Sequence, residues 1–260
     1  MIPESSRSSF LSNKILSRLV HDSNCPVSTD FTYHRINPRT KLERQGKPAE
    51  HIHCITSGIA SFMGFTTTGK FTELTLIGNE GMTGIALILG GRLALGDCIT
   101  RTPCTSLSLP CDVFLSVLEK RQPLKDYLLR YVKAYLAAVA ANAIAQSRAT
   151  VEQRLARTLL MCFDRVDEPY LLLTHEALAE MTGARRSSVT NAIHKLEALY
   201  AVRSDRGMIE LVDRNLLLGI AGCFYGSSER DYDRIMGEAA TLPALTVRNG
   251  RTRSAYRAAG

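Results

Sequence analysis

Residues 173–213 read LTHEALAEMTGARRSSVTNAIHKLEALYAVRSDRGMIELVD, and the fold turns on this stretch. Thr174 follows the apolar run Leu171–Leu173 and is placed to cap a helix that begins at His175, its hydroxyl accepting an otherwise unpaired N–H. Leu178 and Met181 sit three apart on one face, with Ala179 between them small enough for two helices to cross closely. Gly183 then supplies the left-handed conformation that ends a helix and turns the chain. A second helix is expected over Arg185–Leu199, where Val189, Ile193, Leu196 and Leu199 recur at helical spacing toward a core. Its other face carries Arg186, Ser187, Thr190, Asn191 and His194. These are hydrogen-bonding side chains on the N-terminal half, where a helix lying in a DNA major groove meets base edges. Ala201–Ser204 and Met208–Val212 alternate as strands around Asp205-Arg206-Gly207, a tight-turn signal. The whole reads as a helix-turn-helix followed by a two-stranded wing with Arg206 at its tip. The same pattern also occurs in purely structural subdomains; the wing and the polar outer face favour the DNA-reading alternative.

Upstream lies LKDYLLRYVKAYLAAVAANAIAQ, following Pro123. Tyr127, Leu128, Tyr131, Tyr135, Leu136 and Val139 fall at helical spacings of three and four, with Ala-rich turns after them. So wide a stripe exceeds what one small domain covers, and it is expected to pair with its twin as a parallel dimer seam. Packing on its own domain alone is the competing reading. Thr150-x-x-Gln153 has the spacing of a capping box, which starts a new helix there and places a hinge near Gln146–Thr150.

Further upstream, Phe31–Leu109 consists of short apolar runs broken by glycines such as Gly46, Gly58, Gly69, Gly84 and Gly96. Many short strands with close turns point to an antiparallel roll or barrel rather than to βαβ units. The expected class is therefore α+β: an antiparallel β-roll of the jelly-roll type, a long helix, and a winged helix-turn-helix. The expected segments are 1–24 as a flexible or briefly helical lead, 25–118 as the roll, 119–148 as the dimerisation helix, 149–218 as the reading head, and 219–260 as an extension with a basic tail.

Composition agrees. The chain has 260 residues, 45% of them hydrophobic, which supports two cores. The formal net charge of +7 suits a nucleic-acid partner. The charge is local, however. From Arg148 to Arg214 basic and acidic residues balance, whereas Arg185–Arg206 carries five basic residues against Glu197 and Asp205. Arg248, Arg251, Arg253 and Arg257 make up a basic tail read as solvated. No stretch approaches the roughly 20 apolar residues of a membrane helix, and the first twenty residues lack a signal peptide's apolar core, so a cytoplasmic protein without a membrane partner is expected. Seven cysteines are dispersed without a CxxC pair, which argues against a disulfide framework and a zinc site. Cys98, Cys104 and Cys111 fall close enough in sequence to form a thiol switch if they meet, although buried small hydrophobes explain them more simply. His51 and His53 share a strand face, as in a cupin-like metal site, but the carboxylate such a site needs nearby is absent and hydrogen bonding is the simpler role. No nucleophilic, Walker-type or paired-carboxylate constellation is present, and neither an enzyme, a cofactor nor a bound metal is expected.

The segment LTHEALAEMTGARRSSVTNAIHKLE resembles the DNA-binding half of the Crp/Fnr regulators, and TVEQRLARTLL is similar to the short helix that precedes it in that family. The resemblance covers about residues 30–214. It implies a homodimer on double-stranded DNA, with RNA polymerase as a further partner and the roll as a sensor of an unidentified effector. Within that frame side-chain chemistry makes Arg186 the first choice for a base contact, its guanidinium fork matching two acceptors on guanine, with Asn191 able to pair with adenine. Thr174, His175, Arg185, Ser187, Ser188, Thr190, His194, Lys195 and Arg206 are candidates for phosphate or lesser contacts. In the family's best-known members the position of Ser187 is acidic and that of Asn191 basic, so a different operator is implied. Cyclic-nucleotide-binding members carry a Gly-Glu pair for the ribose and an Arg-Ser pair for the phosphate. Here Gly84 is followed by Ile85, and Leu95-Gly96 stands where Arg-Ser would be, with Arg92 as the nearest cation. The resemblance thus implies a sensor without its nucleotide-binding residues. An iron–sulfur sensor would need clustered N-terminal cysteines, and Cys25 stands alone.

Overall fold

The computed structural model describes residues 11–20, 30–69 and 71–237. The basic tail and Cys25 lie outside the described residues. Helix α1 (Lys14–Val20) comes first. Asn13 fixes its start, its Oδ1 accepting the N–H groups of Ile15 and Leu16 while its Nδ2 donates to Ile55 and Gly81 carbonyls at 2.7 and 2.8 Å.

Seven strands then make the roll: β1 (Thr32–Ile36), β2 (Lys41–Glu43), β3 (His51–Ser57), β4 (Ala60–Phe65), β5 (Phe71–Ile77), β6 (Asp97–Thr100) and β7 (Cys104–Pro110). They form two antiparallel sheets, ordered β1-β7-β3 and β2-β6-β4-β5. The glycine punctuation marks real turns. Gly58, between β3 and β4, has φ +80°, and a Cβ there would stand 2.3 Å from the Pro103 carbonyl oxygen. Only glycine satisfies both conditions. A one-turn helix α2 (Ile85–Ile88) crosses between β5 and β6, and α3 (Cys111–Lys120) leads from β7 into α4 (Gln122–Arg148).

The 27-residue α4 begins with Pro123 in its first turn, where the missing N–H costs nothing. Its length and a window of mean hydropathy 1.2 match a membrane-crossing segment. By length and composition alone this comes nearer than expected, because the alanines with Val132, Leu136, Val139 and Ile144 raise the average against Lys133 and the tyrosines. In the fold, one face of α4 packs on the roll through Leu128, Tyr131, Val132 and Tyr135.

The reading head follows. Helix α5 (Val151–Phe163) starts at a complete capping box, with Thr150 and Gln153 each accepting the other's backbone N–H. Helices α6 (His175–Thr182) and α7 (Arg186–Ala198) make the helix-turn-helix. Gly183 at the turn has φ +61°. Strands β9 (Val202–Asp205) and β10 (Met208–Leu211) form the wing around Arg206 and Gly207, both at positive φ. A third strand, β8 (Tyr170–Leu172), pairs with β10; the sequence showed only its apolar character. Leu199, expected in the core, is exposed because the helix ends at Ala198 and Tyr200 turns left-handed at φ +58°.

Beyond the wing, α8 (Arg214–Ala221) packs on α5, and a 3₁₀ turn (Gly222–Phe224) leads to α9 (Ser227–Gly237). Ala221 and Tyr225 pack in the core of the reading head, whereas helix α9 lies along α4 and Met236 enters the roll's core. The Tyr232 hydroxyl donates to the Glu80 carbonyl at 2.6 Å. The extension thus runs from the head back to the roll.

Candidate nucleic-acid interface

Helix α7 buries Val189, Ala192, Ile193 and Leu196 against α5 and α6, which fixes the direction of its opposite face. That face is open: Arg186, Ser187, Asn191, His194 and Lys195 are exposed, as are Arg185 at the helix start and Arg206 on the wing. The Arg186 guanidinium comes within 3.9 Å of Glu176, an exposed pair that holds it weakly. Thr174 caps α6, accepting the Ala177 N–H at 3.1 Å.

Three of the expected contact residues carry structural roles as well. His175 joins the helices to the wing, with Nδ1 3.0 Å from the Thr190 hydroxyl and Nε2 3.4 Å from that of Ser204. Burial, then the nearby Arg186 and His194, hold its pKa below the usual value and favour the neutral ring. Thr190 is thereby half-buried, as is Ser188. Lys195 is tied to Glu152 of α5.

The sequence reading missed Arg39. It sits on the β1–β2 turn with φ +65°, highly exposed, beside Glu180 at 3.9 Å. It lines one groove together with Thr174, His175, Arg186 and Arg206. No local motif marks it, because only the packing of roll against head brings it there. The head is held in that position by Arg101 of the roll, whose side chain is 4% exposed and pairs with Glu180 of α6. Arg101 also donates from Nε to the Ser61 hydroxyl at 2.8 Å, and Ser61 in turn donates to buried Glu73. A second link is Arg165 with Glu80, 2.8 Å apart.

The residues expected around an effector have different surroundings. Ile85 is buried in the roll's core, Arg92 lies at the surface against Asp112 at 3.0 Å, and Leu95 is exposed. Gly96 backs onto β4, where a Cβ would stand 2.3 Å from the Met63 carbonyl oxygen and 2.9 Å from the Phe62 ring. Phe62 packs edge-on against Tyr135 of α4, ring centroids 5.6 Å apart. Beside Gly84 there is a carboxylate: Glu43 accepts the Gly84 N–H at 2.8 Å. Burial pushes its pKa up to about 7 despite that hydrogen bond. Once ionised, above about pH 7, it disfavours an anionic ligand on the same ground that a buried phosphate needs a cation.

Glu43 binds a proton more tightly folded than unfolded, so the stability it contributes is present below about pH 4.5 and is lost as pH rises toward about 7. His53 works in the opposite sense over a similar range. Burial, then His34 and His51, lower its pKa to about 4, so unfolding takes up protons and stability rises with pH. Comparing wild type with Glu43→Gln in urea titrations between pH 4.5 and 7.5 isolates the first effect. The variant should lose a falling component of about 2–3 kcal/mol across that window.

His53 bonds through Nδ1 to the Ser106 hydroxyl at 3.1 Å, whereas His51 is exposed. Among the described residues there is no group of three metal-ligating side chains. Cys98, Cys104 and Cys111 are all buried, and burial raises their thiol pKa values, to about 11 for the latter two. Thiols held protonated in this way are poor redox sensors.

On α4, Leu128, Tyr131 and Tyr135 are buried within the protomer, Tyr127 and Val139 are half-buried, and Leu136 is exposed. The exposed line is different from the one expected: Leu129, Lys133, Leu136, Ala140, Ala143 and Ser147. The broad stripe divides because the roll and α9 cover one side of it.

A seven-stranded roll, a long helix and a winged helix-turn-helix, in this order, make the two-part fold of a transcription regulator. The family model for the cyclic nucleotide-binding domain matches residues 34–121, and that for the Crp-like helix-turn-helix domain matches 153–220. The two together span more than half of the chain, which belongs to the Crp/Fnr family of transcriptional regulators. Among solved structures, FixK2 from Bradyrhizobium japonicum matches with a TM-score of 0.65 and 14% identity, over 74% of this chain and 98% of that one. A CRP-family regulator from Thermus thermophilus gives 0.61 and 17%, over 73% and 96%. A Crp/Fnr regulator from Eubacterium rectale gives 0.63 and 15%, over 79% and 97%. At such identities the likeness is one of fold. No curated protein sequence matches the chain.

Proposed function

We propose that this chain acts as a cytoplasmic homodimer that binds a two-fold symmetric DNA site and regulates transcription there without a cyclic nucleotide, contacting RNA polymerase and catalysing no reaction. The observation that carries the reading is the open polar face of α7, with Arg186, Ser187, Asn191 and His194 exposed above a fully apolar inner face. Two such helices, related by a two-fold axis, enter successive major grooves with half-site centres about 34 Å apart. Arg186 reads guanine, since its guanidinium fork matches two acceptors on that base, and Asn191 pairs with adenine. Arg185, Lys195 and Arg206 contact phosphates, which sets register without reading sequence. Arg39 adds a phosphate contact from the roll. His175 and Thr190 position α7 and the wing. The absence of the nucleotide-binding pairs, the Glu43 carboxylate and the Phe62–Tyr135 packing support independence from cyclic nucleotide.

Arg186→Ala should weaken binding to the cognate site by about 1–3 kcal/mol and relax the preference at one base pair. Equal loss on every sequence, measured by titrating labelled duplexes, would place Arg186 on a phosphate instead.

The dimer seam in this reading is the exposed line Leu129, Lys133, Leu136, Ala140, Ala143 and Ser147. Its alternating spacing of four and three is that of a coiled coil, and Lys133 on the seam sets register at some cost in stability. Leu136→Glu should weaken association by about 3 kcal/mol or more, because each protomer loses a buried leucine and gains a charge. Sedimentation equilibrium measures this; an unchanged dimer would move the seam elsewhere. The hinge between α4 and α5 at Ala149, and the roll, helix and head at 25–118, 119–148 and 149–218, belong to the same reading.

A further inference from the structure

The roll, α4, α5 and the extension line a half-open cavity of about 290 Å³. Its volume is close to the lower end of small-molecule sites, which begin at about 300 Å³. Leu76, Ala134, Ala138 and Met161 form apolar wall, and the rings of Tyr131, Tyr135, Tyr225 and Tyr232 complete it. The tyrosine hydroxyls are mostly engaged away from a ligand. Tyr131 bonds to the Met82 backbone, Tyr232 to the Glu80 carbonyl and Tyr225 to Asp164. Tyr135 differs: it is 7% exposed, and its buried hydroxyl has no hydrogen-bond partner.

The charges around the cavity are unbalanced. Glu80, Asp164, Glu229 and Asp233 line it against Lys14 and Arg165. Arg165 is committed to Glu80 and to the Met161 carbonyl. Asp164 is committed to Arg214 and Tyr225. Glu229 accepts the Gly226 N–H and the Ser228 hydroxyl and lies in the field of Arg157 and Arg165, yet among the residues lining the cavity the four acids still outnumber the two bases. The Lys14 ammonium already rests 5.7 Å from the centroid of the Tyr232 ring, so the chain itself shows a cation accommodated on this wall. Tyrosine faces and carboxylates both attract an ammonium, and neither favours an anion.

We infer that this cavity is a binding site for a small organic amine with an aromatic or short aliphatic body. Such a ligand touches the roll, the long helix, the first helix of the head and α9 at once, so its binding energy differs between arrangements of head and roll, which is what an effector requires. The site is separate from the interior of the roll, where the family's nucleotide would lie. It does not depend on the DNA-binding reading, because occupancy is measured without DNA.

The test is calorimetric titration of the full-length protein with tyramine, cadaverine and agmatine, each set against 4-hydroxyphenylacetate as a similarly sized anion. At least one amine should bind at least about tenfold more tightly than the anion. Ala138→Leu, which fills the cavity, should abolish this binding while far-UV circular dichroism and thermal unfolding stay as in wild type. Glu229→Gln keeps an acceptor for the Gly226 N–H that Glu229 now receives and removes one charge, so it should weaken the amine about tenfold without loss of fold. The assignment is overturned if none of the three amines outbinds the anion, or if an amine binds Ala138→Leu and Glu229→Gln as it binds wild type.

Discussion

Glu180→Ala should destabilise the protein by about 3 kcal/mol and loosen the reading head from the roll. Glu180 pairs with Arg101, whose side chain is 4% exposed while that of Glu180 is 19% exposed. Removing the acid leaves a guanidinium at the boundary between roll and head without its counter-charge, and an unpaired buried charge costs more than the intact pair contributes. The remaining hydrogen-bond partners of Arg101 are neutral, the Ser61 hydroxyl at 2.8 Å and the Met63 sulfur at 3.0 Å, and buried Glu73, whose own pKa is raised by burial, reaches it only through Ser61. Urea denaturation measures the loss, and limited proteolysis at the α4–α5 junction reports the loosening. Adding Arg101→Met should restore much of the stability, because the second change removes the stranded charge. If Glu180→Ala alone unfolds like wild type, the Arg101–Glu180 pair does not hold the head on the roll.

Gly96→Ser, which restores one residue of the nucleotide-binding pattern, should destabilise the roll by about 3 kcal/mol or more and create no cyclic-nucleotide binding. The strand passes so close to β4 that a Cβ meets the Met63 carbonyl oxygen at 2.3 Å and the Phe62 ring at 2.9 Å. Backbone cannot move aside as a flexible side chain can, and Phe62 is held by Tyr135. Adding Leu95→Arg and Ile85→Glu would complete the pattern. Ile85 is 7% exposed in the apolar core, so Ile85→Glu adds the further cost of an unpaired buried carboxylate. Thermal unfolding and calorimetry with cyclic AMP together decide the matter. A stable variant that binds the nucleotide would show that only the missing side chains, and not the packing of the roll, had closed the site.

What was readable in the sequence was mostly local. Thr174, Gly183 and the Thr150–Gln153 box act through hydrogen bonds and backbone angles within a few residues, and α6, α7 and the start of α5 fall within a residue or so of their expected ends. The antiparallel roll was legible from its glycines because a turn between adjacent strands is also a local event. Long-range packing decided the rest. Strand β8 pairs with β10 across the whole helix-turn-helix, so its three residues carry no alternation of their own to reveal it. The apolar stripe of α4 was visible, but only the positions of the roll and α9 show which of its residues remain uncovered. Arg39 is remote in sequence from the head beside which it sits. Glu43 gave no hint that it lies next to Gly84, which stands 41 residues along the chain at the start of α2.

The measurement that bears most directly on the account is selection of bound genomic fragments by the purified protein, without added ligand and at physiological salt. The account predicts enrichment of a two-fold symmetric motif with half-sites about one helical turn apart, about 34 Å, and a relaxed base preference when Arg186→Ala is used instead. Uniform recovery of fragments by both proteins, with only salt-dependent affinity, would contradict it.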